Sequence, residues 1–120
     1  MVKKTGCTNP KSMEQVGIFE PFYGNLFSKF YDYSGCKLKS SKFFQPYIEP
    51  EISLRIKNDI NINDSPFTFN DAEYLFDGIL PSIEIVDFRF GNNIKEVGIN
   101  NLIMTNGASE YWVRGNKIYP

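Results

Sequence analysis

Histidine is absent from this 120-residue chain. That excludes a Ser-His-Asp or Cys-His catalytic unit within it and removes imidazole as a metal ligand. Cysteine is scarce. Cys7 and Cys36 stand far apart with no Cys-x-x-Cys spacing, a poor zinc site that reads as two free, buried thiols of a cytoplasmic protein. No run of apolar residues approaches a bilayer span, and Met1-Val2-Lys3-Lys4 has no apolar stretch behind its lysines, so neither a membrane partner nor a secretory signal is expected. No basic face emerges from a net charge of −1, and short stretches such as Lys37-Leu38-Lys39 read as solvated surface, so no nucleic-acid partner is expected either. Repeats, low-complexity tracts and linkers are lacking too. What remains for chemistry is carboxylates, Lys, Tyr, hydroxyls and a hard, oxygen-loving cation.

What is present is enough for one folded unit. Apolar residues make up 42% of the chain, with 11 Phe and 7 Tyr to fill an interior. Asn9-Pro10 reads as an N-cap followed by Pro at the first helical position, so a short helix over Lys11 to Val16 is expected to stop at Gly17. Residues 18 to 35 read as loop and short extended pieces. Pro46 to Lys57 alternates, with Ile48, Ile52, Leu54 and Ile56 on one side, which predicts a strand with that face buried. Asn61 to Pro66 is turn-rich. Asn70 is expected to cap a helix over Asp71 to Leu80, ended by Pro81. Strands are expected over Ser82 to Phe90, Ile99 to Met104 and Tyr111 to Val113, with a turn at Gly91-Asn92-Asn93. The predicted class is α+β, strand-dominated, with two short helices.

Three acidic residues raise a physical question. Glu49 and Glu51 lie two apart on a strand, so their carboxylates leave one face side by side, where like charges disfavour each other unless a proton or cation intervenes. Pro50 between them cannot donate to a ladder, which points to an edge or an irregular entry to the strand. Glu84 shares its side of a strand with Val86, Phe88 and Phe90, a costly place for an anion unless it is paired or metal-bound. Asp87 and Arg89 can pair on the opposite side. On spacing alone, solvated charges at a strand end are the simpler account of Glu-x-Glu, and Glu84 on an apolar side is what strengthens the metal reading. An oxygen-only trio suits Mg²⁺ or Mn²⁺.

Several stretches resemble the 2-keto-4-pentenoate hydratase and 4-oxalocrotonate decarboxylase family of the fumarylacetoacetate hydrolase superfamily. Lys4-Thr5-Gly6-Cys7-Thr8 resembles its Lys-x-Gly-x-Thr segment, and Val16-Gly17-Ile18 with Pro21-Phe22-Tyr23-Gly24 its Pro-x-aromatic-Gly stretch. Ile48-Glu49-Pro50-Glu51-Ile52 resembles the Glu-x-Glu-Ile motif, Pro81-Ser82-Ile83-Glu84 the Pro-Ala-x-Glu block, and Asn106-Gly107-Ala108-Ser109 the Asp-Asn-Ala-Ser region. The motifs run in family order across nearly the whole chain. The resemblance implies a partial β-roll or mixed sheet, one partial domain over residues 1–120, with Glu49, Glu51 and Glu84 holding Mg²⁺ or Mn²⁺. It implies that Lys4 is catalytic, that Asn106 and Ser109 bind substrate, and that Asp87 and Arg89 support the metal ligands. The implied reaction is addition of water to a 2-hydroxy-2,4-dienoate in aromatic-compound breakdown. Phe22 stands where many hydratases carry an acid and the decarboxylases an apolar residue, which keeps 2-oxo-acid decarboxylation open. Members of the family are much longer, so a homo-oligomer, a complementary chain or a non-catalytic subunit-like fragment is also implied, with Phe19, Phe22, Tyr31 and Phe43 as interface candidates.

Overall fold

A computed structural model describes residues 2–91 and 94–120. Two sheets organise it. Strands β1 (Val2–Gly6) and β2 (Phe22–Leu26) form an antiparallel pair. A second sheet has the order β3–β6–β5–β4, from β3 (Tyr31–Tyr33), β4 (Pro46–Ile56), β5 (Phe76–Asp87) and β6 (Ser109–Arg114). Among the described residues only β3 and β6 run parallel. Among the described residues, four short α-helices lie between the strands: α1 (Pro10–Val16), α2 (Ala72–Leu75), α3 (Ile94–Val97) and α4 (Ile99–Met104). The fold is α+β and strand-dominated, as the sequence predicts. No helix among the described residues is long and apolar enough to cross a membrane.

Helix α1 follows its capping signals. The Asn9 side chain accepts from Ser12 N–H, Pro10 opens the helix, and Gly17 closes it in the left-handed region at φ 75. Strand β4 is the outer strand of its sheet, where Pro50 costs no ladder bond that matters. Leu26, Leu80 and Trp112 form a small core between the two sheets, with Val2, Tyr31 and Ile118 packed around it.

Three expectations are corrected. The stretch expected as a helix from Asp71 to Leu80 is α-helical only over Ala72–Leu75; a 3-10 turn (Phe69–Asp71) with a Thr68–Asp71 capping box precedes it, and Asn70 lies inside that turn rather than at a cap. From Phe76 the chain is strand, because Gly78, Leu80, Ser82, Glu84 and Val86 alternate with exposed neighbours and pair with the length of β4. Pro81 therefore lies inside β5. Its carbonyl accepts from Gly115 N–H just past the end of β6, so its missing donor faces the end of a ladder, where it is tolerated. Ile99–Met104, expected as a strand, is helix α4. Leu102 is its buried anchor, and Thr105 tightens the last turn by donating from Oγ1 to the Asn101 and Leu102 carbonyls.

The third correction concerns β4. Its apolar side was expected to be buried, yet Ile48 is 69% and Ile52 74% exposed. The strand forms because its backbone pairs fully with β5, not because this face is covered. Asn92 and Asn93 of the expected turn lie outside the described residues.

Candidate metal centre

The β4–β5 register decides which acids meet. Glu49 stands directly opposite Glu84, and Glu51 opposite Ser82, so all three carboxylates leave the same face of the sheet. One oxygen from each lies within 4.8 Å of the others. Glu84 is 4% exposed, whereas Glu49 and Glu51 reach solvent. Opposed like charges at this range destabilise a sheet unless something positive compensates them.

Lys4 supplies part of that compensation. Strand β1 brings its ammonium to Glu84, to which it donates a hydrogen bond and with which it forms an ion pair. A second hydrogen bond runs from Lys4 Nζ to the Asn106 carbonyl at 2.8 Å. Both ends of the Lys4–Glu84 pair are largely withdrawn from water, with side chains 12% and 5% exposed. One ammonium does not neutralise three carboxylates. Withdrawal from water pushes the Glu49 and Glu51 carboxyls above their ordinary range; the charge of Glu84 adds to this and Lys4 opposes it.

The walls are built from glycine and aromatic contacts. A Cβ on Gly24 would lie 1.7 Å from Asn106 Oδ1, so only glycine lets the Asn106 carboxamide dock on β2, where its Nδ2 donates to the Asn25 carbonyl at 2.9 Å. Asn106, Gly107 and Ala108 all have positive φ, at 52, 74 and 60. That turn aims the Asn106 carbonyl at Lys4. The Phe22 ring fills the space beside Gly6 and Gly107, and a Cβ on Gly107 would meet both Phe22 and the Lys4 ammonium within 3.3 Å. Phe22 is thus an apolar wall next to the Lys4 nitrogen. Trp112 stands opposite Glu84 across the β5–β6 ladder, edge-on to Tyr31 with centroids 5.8 Å apart.

The remaining candidates sit close to this centre without joining it. Ser109, opposite Val86 on β6, has a buried hydroxyl with no partner. Asp87, 3% exposed, accepts from the Phe44 and Gln45 backbone N–H groups and so anchors the chain that leads into β4. Arg89 lies 3.6 Å from Asp87 and also pairs with Glu110, at the surface. Asn106 is committed by its side chain to β2 and by its carbonyl to Lys4. Cys7 and Cys36 are both free, but half-buried rather than buried as expected. Sequence reasoning gave Cys7 and Trp112 no place here. Burial, the largest influence, pushes the Cys7 thiol up, and the charges of Lys4 and Glu49 act on it as well. Only their separation in sequence hid these contacts.

The donor set is oxygen-only, anionic and partly desolvated, and it already holds one cation against its buried member. It fits a hard divalent ion with positions left for water or ligand oxygens.

Comparison with known proteins agrees with this chemistry. Over nearly its whole length the chain is a homologue of part of the 2-keto-4-pentenoate hydratases and 4-oxalocrotonate decarboxylases, and it shares the fold of the matched stretch of a solved decarboxylase. A 2-keto-4-pentenoate hydratase from Dechloromonas aromatica (strain RCB) is 31% identical over 116 residues, covering 96% of this chain and 42% of the hydratase. A 4-oxalocrotonate decarboxylase from Pseudomonas sp. (strain CF600) is 26% identical over 115 residues, with the same coverage. The solved 4-oxalocrotonate decarboxylase from Pseudomonas putida G7, complexed with magnesium and adipate, superposes with a TM-score of 0.79 at 27% identity, over 97% of this chain and 43% of its own. A second structure of that enzyme holds calcium and acetate. The chain therefore spans less than half the length of these relatives. No family model matches it.

Proposed function

We propose that this chain is the metal-site portion of a cytoplasmic, divalent-metal-dependent lyase acting on small 2-oxo or 2-hydroxy-dienoate acids, with hydration of a 2-hydroxy-2,4-dienoate as its reaction. The observation that carries this reading is the convergence of Glu49, Glu51 and Glu84 around one point, with Lys4 beside them. The three carboxylates would hold Mg²⁺ or Mn²⁺. When bound, the ion supplies Lewis acidity and a template for the substrate's carboxylate and 2-oxygen.

The chain's own residues do the rest. Lys4 Nζ, held by Glu84 and the Asn106 carbonyl, is placed to pair with a substrate carboxylate or to pass a proton at the edge of the site. Phe22 beside Lys4 and the buried Trp112 opposite Glu84 are apolar neighbours of the Lys4–Glu84 pair, and low dielectric there strengthens that contact. The Ser109 hydroxyl, buried without a partner, is available to a ligand oxygen. Asp87 and Arg89 fix the frame that carries β4 to the site.

A second reading, decarboxylation of a 4-oxalocrotonate-type 2-oxo acid, is favoured by Phe22. Its ring forms an apolar wall beside Lys4, as the resemblance implies for a decarboxylase. Incubation with Mg²⁺ and either acid separates the readings: consumption of the dienoate without gas supports hydration, and carbon dioxide released from 4-oxalocrotonate supports decarboxylation. Failure of the chain to bind Mg²⁺ would overturn both. The reading includes action as a homo-oligomer or with a complementary chain.

A further inference from the structure

The metal face of the large sheet continues past the carboxylates. Across the β5–β6 ladder Trp112 stands opposite Glu84 and Arg114 opposite Ser82, while across the β4–β5 ladder Ser82 stands opposite Glu51. Arg114 is therefore on the same face as the three glutamates and diagonal to Glu84. Diagonal neighbours of an antiparallel pair lie about 7–8 Å apart, within reach of a long side chain. Two strand spacings, or about 10 Å, separate the Arg114 backbone from that of Glu51.

Arg114 carries a charge that the fold leaves unused. Its guanidinium rests on the Tyr33 ring, 5.0 Å from the centroid, and its Nε, withdrawn from water, meets no hydrogen-bond acceptor. Lys4 and Arg55, on the same face, are committed to Glu84 and Asp77. Arg114 joins no ion pair among the described residues. A buried donor without an acceptor calls for an explanation, and a ligand oxygen supplies one. A guanidinium lying on an aromatic ring keeps its planar fork of N–H donors for a carboxylate. Between Arg114 and β4 the floor is polar. Ser82, 6% exposed, shares a 2.6 Å hydrogen bond with Ser53. One hydroxyl donates to the other, so the pair keeps one O–H free to donate.

We infer that Arg114 and the Ser53–Ser82 pair form a second subsite on the metal face, with Arg114 selecting 2-oxo acids that carry a further carboxylate at the far end over those that end in an apolar chain. This rests on the proposed reading of Glu49, Glu51 and Glu84 as the seat of a dication that holds the near end of the acid. With that ion bound, the three carboxylates are balanced by the ion and Lys4 together. A second anionic group on the ligand then needs a cation of its own, and Arg114 supplies it. A short, unbranched diacid would lie along the face, from the carboxylate trio across the serine hydroxyls to the guanidinium. A monoacid of the same length leaves Arg114 without a partner, and that difference is the source of the selectivity.

The test is calorimetric titration of the intact chain, in saturating Mg²⁺, with 2-oxoadipate and with 2-oxohexanoate. These are the same saturated chain with and without a far carboxylate, and neither has a double bond to accept water. The diacid is expected to bind at least tenfold more tightly. Arg114→Gln should weaken the diacid at least tenfold and the monoacid less than twofold, and Arg114→Lys should keep part of the preference. Should Arg114→Gln not fold, modification of the native chain by phenylglyoxal, mapped by peptide mass, reads the same contact. The diacid should then shield Arg114 and leave Arg89 unprotected. Equal affinities for the two acids, binding of neither, or a preference that survives Arg114→Gln would overturn the inference. Titration with Mg²⁺ alone separates the two levels. Mg²⁺ binding with both acids held equally would overturn the subsite alone. An Arg114-dependent preference for the diacid in a chain that binds no Mg²⁺ would overturn the proposed function alone.

Discussion

Lys4 and Glu84, eighty positions apart in sequence, form a largely buried ion pair at the seam between the two sheets. The ammonium stands where a buried carboxylate needs positive charge. Removing one partner of such a pair leaves the other uncompensated, at a cost of about 3–5 kcal/mol. Lys4→Met is therefore expected to lower the midpoint of denaturant unfolding markedly in the absence of metal. Saturating Mg²⁺ should restore more stability to this variant than to the parent, because the ion replaces the missing charge. Equal metal-induced shifts in the two proteins would show that the ammonium and the ion do not share Glu84.

Acidity should act on the same centre with a defined sign. The Glu49 and Glu51 carboxyls are raised in the fold above the ordinary value of 4.5, chiefly by withdrawal from water and then by neighbouring charge. Between the unfolded and folded values the native chain binds more protons than the unfolded one. Metal-free stability contributed by these groups is thus present below pH about 4.5 and declines as pH rises through the folded values. Mg²⁺ needs the ionised form, so its affinity should climb over that same window. Thermal melts with and without Mg²⁺ from pH 4.5 to 7.5 should show the metal-dependent increment growing with pH; an increment that shrinks would contradict the assignment.

Gly24 is expected to tolerate no side chain. A Cβ there would press into Asn106 Oδ1, displacing the carboxamide from Asn25 and, with it, the carbonyl that holds Lys4. Gly24→Ala should destabilise the chain by about 1–3 kcal/mol through overpacking. Mg²⁺ affinity should change less than stability does, since none of the three carboxylates is attached to that turn. Chemical denaturation and calorimetric titration on one sample measure both.

Much of the centre was legible because strand parity is a local property. Two-residue spacing put Glu49 and Glu51 on one face, and the apolar company of Glu84 marked it as an anion needing a partner. Pro50 gave away the edge. The segment from 71 to 80 misled because Ala72, Leu75, Phe76 and Ile79 satisfy a helical period while Gly78, Leu80 and Ser82 satisfy a strand's, and only pairing with β4 decides between them. Ile99–Met104 is ambiguous for the same reason: a short apolar run carries no unique period. The bare face of β4 was illegible in principle. Alternation tells which side is apolar, not whether anything covers it. The seat of Phe22 against Gly6 and Gly107 depends on tertiary contacts that no spacing encodes.

Calorimetric titration of the parent chain and of Glu84→Gln with Mg²⁺ bears most directly on the claim that three glutamates converge on one dication. The parent should bind one Mg²⁺ per chain, and the variant, which keeps size and hydrogen-bonding capacity but loses the charge, should bind at least about tenfold more weakly, or 1.4 kcal/mol. Equal affinity in the two proteins would mean that the side chain at position 84 does not hold the ion.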